Sequence, residues 1–142
     1  MEVIKVIIAG SRDIDDVSLV DKALHDSGLL SKHLNGEIEL QVVSGMARGI
    51  DTNAVEVAEK HGLKLHKFPC TKAMWDLHGK KAGILRNIEM GKFSNALVAI
   101  WDGESRGTKQ MIDWATKDKK FVYVTKVTGL VSKPIRPVTK GL

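Results

Sequence analysis

Three short segments place glycine, a hydroxyl side chain and arginine within a few residues of one another. They are Gly10-Ser11-Arg12, Ser44-Gly45-Met46-Ala47-Arg48-Gly49-Ile50-Asp51 and Asp102-Gly103-Glu104-Ser105-Arg106-Gly107-Thr108. Each set suits an anion. Glycine lets backbone N–H groups come close to a ligand. Arginine offers a planar, permanently charged fork that matches phosphate or carboxylate. A helix starting in such a segment points free N–H groups and the positive end of its dipole at the same place. Arg12, Arg48, Arg86 and Arg106 are therefore expected around the anionic part of a ligand. Gly10, Gly45, Gly49, Gly103 and Gly107 would bring the backbone to it, and Ser11, Ser44, Ser105 and Thr108 would add hydroxyl contacts. Asp51 reads as a brace for the following helix or as a ribose contact.

The flanking sequence says how such segments could meet. Each follows a short apolar, β-rich run: Val3 to Ala9, Ile38 to Val43, and Ala96 to Ile100. Runs of this kind suit strands covered on both faces. Helical periodicity fills the gaps, at about 17–33, 48–61, 80–92 and 107–118, with further strands at 64–68 and 121–125. A polar loop carrying Trp75 and His78 is expected before the third helix. The alternation predicts a three-layer α/β/α Rossmann-like domain over residues 1–125, with a mostly parallel sheet of about five strands in the order 3-2-1-4-5. In such a sheet the three loops leave the same edge and converge on one cleft.

Composition narrows the partners. The formal net charge is +5, yet residues 1–118 hold 16 Lys/Arg against 17 Asp/Glu. The basic excess lies in Lys119, Lys120, Lys126, Lys133, Arg136 and Lys140. Residues 126–142 read as a basic tail or edge extension: an edge strand, or an arm that meets single-stranded nucleic acid or another partner. No apolar run is long enough to span a bilayer, no signal peptide is visible, and Cys70 is the single cysteine. A cytoplasmic protein without a membrane partner is expected. Cys70 itself reads as a half-buried strand-end residue.

Ser44–Asp51 closely resembles the Ser-Gly-x-Ala-Arg-Gly-Ile-Asp signature of the DNA-processing protein A family, part of the SLOG superfamily of Rossmann-like nucleotide-binding domains. Gly10-Ser11-Arg12, Trp75, Ala82-Gly83-x-x-Arg86-Asn87 and Trp101 to Thr108 resemble the small stand-alone SLOG proteins of the YspA type. The resemblance covers about residues 3–125 and implies a nucleotide-binding cleft that includes Arg86 and Asn87, together with self-association into a homo-oligomer. Arg86-Asn87-x-x-Met90 and Gly107-Thr108 also resemble parts of the LOG-type phosphoribohydrolases, which cleave the base from nucleoside monophosphates. The acidic positions of that family's second loop are here Gln110 and Met111. Glycosidic cleavage needs a carboxylate, so only Arg86 and Asp102, or Glu104 from the same loop, remain as catalytic candidates.

Other chemistries fit less well. Gly103 to Lys109 has the wrong spacing and order for a P-loop, and no Gly-x-Gly-x-x-Gly follows any strand. His25, His33, His61, His66 and His78 show no ligand spacing with another His or Cys, so no metal and no cofactor is expected. Only His78, in its loop, is a candidate for reaching the cleft. Trp75 and Trp101 stand where an aromatic face could stack on a base, whereas Trp114 fits a buried helix face with Met111 and Ala115. Three functions follow, in order. The first is binding of a nucleotide or nucleotide-derived phosphorylated small molecule. The second is nucleotide N-glycosidase action on the same ligand. The third is single-stranded DNA binding.

Overall fold

The structure, a computed structural model, describes residues 1–128 and 131–138, with side chains through Val127. Strands β1 (Glu2–Gly10), β2 (Ile38–Ser44), β3 (Lys64–Lys67), β4 (Ala96–Trp101), β5 (Phe121–Thr128) and β6 (Val131–Val138) form one sheet in the order β3-β2-β1-β4-β5-β6. The first five are parallel, in the 3-2-1-4-5 arrangement expected. β6 turns back antiparallel to β5, with a register shift between Val124 and Thr125. It carries Pro134 and Pro137 at the sheet edge, where a residue lacking an N–H is tolerated.

Helices α1 (Val17–Asp26), α2 (Leu29–Leu34), α3 (Ile50–His61), α4 (Lys72–His78), α5 (Ala82–Phe93) and α6 (Arg106–Lys117) cover the sheet. The central strands β1, β2 and β4 bury both faces, and their alternation sorts the core into two. Ile4, Val6 and Ile8 of β1 join Val98 and Ile100 of β4 and pack under α1, α2 and α3. Ile7 and Ala9 join Leu97 and Ala99 on the other face, under Met90 of α5 and Met111 and Ala115 of α6. Each fully buried Leu or Ile contributes about 1.5–3 kcal/mol. The first face has many more of them and is the main source of stability.

Three local expectations are corrected. The single helix expected over 17–33 is broken, because Ser27 caps it and Gly28 turns left-handed at φ +84°. The Ser27 hydroxyl donates to the Leu24 carbonyl and accepts the Leu29 N–H. The polar loop around Trp75 is instead mostly α4, started by the Thr71 side chain accepting the Met74 N–H at 3.2 Å. Trp114 is only half buried, and its ring lies across Gly91, where any Cβ would overlap it. Among the described residues no helix is long and apolar enough to cross a membrane.

Candidate functional site

The carboxyl ends of β1, β2 and β4 lie side by side, with Ile7 opposite Val43 and Gly10 opposite Ile100. Their outgoing loops therefore gather at the point where the chain order of the sheet reverses. The loop after β2 is folded back on itself by buried polar groups. Ser44, with no exposed surface, donates its hydroxyl to the Asp51 carbonyl at 2.7 Å and accepts the Met46 N–H at 3.1 Å. The Asp51 carboxylate accepts the Ala47 N–H at 3.3 Å. Gly49 has φ +80°, and a Cβ there would stand 2.5 Å from the Ile14 carbonyl oxygen. Only glycine can press this loop against the one leaving β1. α3 then begins with no side-chain cap on its N-terminus.

The loop after β4 is held by Asp102. Its carboxylate accepts the N–H groups of Glu104 and Ser105, both at 2.8 Å. The Asp102 N–H donates to the Ser11 hydroxyl at 3.1 Å, which ties this loop to the one after β1. Trp101 Nε1 donates to the Ser105 carbonyl at 3.0 Å, so the indole packs on the core and braces the loop. α6 likewise starts without a side-chain cap. Its Gly107 and Thr108 face the space between the loops.

That space is a hollow of about 480 Å³, within the usual range for a small-molecule site. Arg12, Arg48 and Arg86 line it, with Gly10, Ser11, Asp51, Asn87, Asp102, Ser105, Gly107 and Thr108. A second hollow of about 380 Å³ shares Arg12, Ala47, Arg48 and Arg86 and runs on to Gly45, Cys70 and Trp75. Together they make one groove along the sheet edge. Trp75, 46% exposed, stands at its far end. Ser44, Gly49 and Gly103 shape the loops without lining either hollow. Arg106 is exposed and lies outside both, so three of the four expected arginines meet rather than four. His78 also lies outside.

Asp13, Ala47, Met90 and Met111 also line the larger hollow, although none of them was expected among the ligand contacts. Helical spacing carried the signal for two of them. Met90 follows Arg86 by four residues and Met111 follows Thr108 by three, so each shares a helix face with a residue already chosen. Asp13 adjoins Arg12. Its carboxylate pairs with Arg48 at 3.3 Å, with both side chains well exposed.

The arginines differ in commitment. Arg86 is 7% exposed and donates from Nη1 to the Gly45 carbonyl, and at 3.4 Å to the Phe68 carbonyl. Its Nε donates to Asn87 Oδ1 at 2.8 Å. It thus pins the ends of β2 and β3 to α5. Arg12 is exposed and, among the described residues, makes no ion pair or hydrogen bond through its side chain. Burial pushes the Asp51 carboxyl up to about 6, against the pull of the Ala47 N–H, Arg86 and Arg12. Asp102 moves the other way. Burial works against its charge, but the Ser105 and Glu104 N–H groups and Ser11 more than offset that and hold it below the usual range.

Outside the groove, Asp21, His25 and His61 bring three potential metal-ligating atoms within 4.8 Å of one another. Asp21 is already engaged there by Lys60 at 2.6 Å and His61 at 2.7 Å, a tie between α1 and α3. The trio has no signature in the sequence, because His61 lies on a different helix from Asp21 and His25.

No family model matches the sequence. The Gene 61 protein of Mycobacterium phage D29 is 38% identical over 120 residues, spanning 80% of this chain and 89% of the phage protein. The chain belongs to the family of that phage protein. Among solved structures, DNA processing protein A from Streptococcus pneumoniae superposes with a TM-score of 0.67 at 22% identity, covering 89% of this chain and 52% of that one. DNA processing protein A from Helicobacter pylori, whose structure addresses a single-stranded DNA binding mode, gives 0.60 at 20% identity over 92% of this chain and 68% of that one. The chain shares their Rossmann-like fold and spans about half the length of the first.

Proposed function

We propose that the groove binds single-stranded DNA, seating a backbone phosphate between Arg12, Arg48 and the open N-terminus of α6, with Trp75 stacking on a base. The observation that carries this reading is the continuity of the two hollows across Arg12, Arg48 and Arg86. A groove with charge in its middle and an exposed indole at one end suits a strand better than a lone nucleotide. The fold shared with the DNA processing proteins supports the same reading. The tail from Lys126 onward would extend the contact by charge alone.

On this reading the chain is a SLOG-type binding domain, nearer the stand-alone YspA type than the phosphoribohydrolases. Gln110 and Met111 stand where those enzymes need acids, and Asp102 is occupied as a loop brace. Self-association would place two grooves on one particle, which light scattering would read directly.

A second reading, a free nucleotide in the larger hollow, is favoured by its volume of about 480 Å³. Length dependence separates the two. Strand binding predicts affinity that climbs from a mononucleotide to an oligothymidylate of several nucleotides, and falls steeply with salt. A mononucleotide that binds as tightly as the oligomer would assign the cleft to a free nucleotide instead.

A further inference from the structure

The larger hollow has the arginines of an anion site, yet its charged lining is nearly balanced. Against Arg12, Arg48 and Arg86 stand Asp13, Asp51, Asp102 and Glu104. Three of these acids are neutralised locally or bathed in solvent. Asp13 pairs with Arg48, Asp102 is held by two N–H groups, and Glu104 is exposed. Asp51 differs. The residue is 7% exposed in the lining of the cleft, and among the described residues its carboxylate has no ion-pair partner within 4.0 Å. A Cβ at Gly45 would be 2.9 Å from both Asp51 Oδ2 and Arg86 Nη1, so the two side chains flank that glycine without closing on each other.

We propose that Asp51 makes this cleft selective for the singly charged phosphodiester of a DNA strand over the doubly charged terminal phosphate of a nucleotide. The inference deepens the strand-binding reading and rests on it. A buried carboxylate repels an anion far more strongly than an exposed one, because little water screens the pair. One negative charge is balanced by Arg12 and Arg48 together with the N-terminus of α6, whereas a second faces Asp51. The groups around the carboxylate are Arg12 from the loop after β1, Arg86 from α5, and the N–H groups of Ala47 and Gly10. Burial holds the Asp51 carboxyl up at about 6, and the second ionisation of a phosphomonoester falls near the same pH. A diester has no ionisation there, so a change in its affinity between pH 5 and 8 reports on the protein.

The test titrates the full chain with thymidine 5′-phosphate and with its 5′-methyl ester, ligands that differ by one methyl group and one charge. An unphosphorylated oligothymidylate of about ten nucleotides serves as the strand. At pH 7.5 the methyl ester is expected to bind about tenfold tighter than the monoester. The methyl ester should also tighten as pH falls through 6, and Asp51→Asn should flatten that profile and narrow the gap between the two ligands. Equal affinities at pH 7.5, or a tighter monoester, would overturn the selectivity while leaving strand binding intact. Absence of oligothymidylate binding would overturn the strand reading and this inference together. If Asp51→Asn does not fold, the pH profile of the wild-type chain decides: a flat methyl-ester profile refutes the role of Asp51.

Discussion

The groove is built from two kinds of charge that the sequence presents in the same way. Arg86 and Asp51 lie inside, each 7% exposed, and both hydrogen-bond to the protein's own backbone. Arg12 and Arg48 lie outside, one without a protein partner among the described residues and the other in an exposed pair with Asp13. The two buried groups brace the loops, while the outer arginines, on the strand-binding proposal, meet the ligand. Shared residue type and nearby motif therefore conceal a division between building the site and using it.

Removing Arg86 should do the most damage. Arg86→Ala leaves the Gly45 and Phe68 carbonyls unpaired and takes the nearest positive charge from Asp51, at an expected cost of about 3–5 kcal/mol in urea unfolding. Arg86→Lys should recover only part of this, because an ammonium cannot span the same acceptors. Wild-type stability in Arg86→Ala would erase the distinction between inner and outer charges.

Asp51→Asn should sharpen it through pH. The folded-state carboxyl sits near 6, above its ordinary 3.8. Its protonated form therefore favours the fold fully below about pH 4, and that contribution fades as pH rises through 6. Above pH 7 the variant should be about 2–3 kcal/mol more stable than wild type, with the difference vanishing in acid. Unfolding curves between pH 4 and 8 measure it.

Gly49→Ala should cost about 1–3 kcal/mol, since φ +80° and the approach to the Ile14 carbonyl both exclude a Cβ. Arg48→Ala should barely move stability, by under about 0.5 kcal/mol, because an exposed pair contributes little. It should nevertheless weaken strand binding and lower its salt slope by about 0.7. Trp75→Ala should cost about 1 kcal/mol of affinity if a base stacks on the indole, again with little change in melting temperature.

How much of this was legible follows from the physics of each part. The β-branched runs at 3–9, 38–43 and 96–100 mark strands buried on both faces, and their alternation with helices led to the sheet order. The break at Ser27-Gly28 was hidden because apolar spacing continues across it, and α4 because its residues Lys72–His78 include none that are buried. At the site, contiguous motifs found the loop residues. Whether Arg86 would bind a ligand or hold carbonyls could not be read from its type, since both uses need the same guanidinium. Arg106 shares a motif with residues that line the cleft, yet at the first turn of α6 it points elsewhere.

The most direct test compares binding of a labelled oligothymidylate to the wild-type chain and to an Arg12→Ala, Arg48→Ala double variant at low salt, with melting temperature followed in parallel. An affinity loss of at least about tenfold with an unchanged melting temperature is predicted. Undiminished binding by the double variant would contradict the assignment of the groove's outer arginines to the strand.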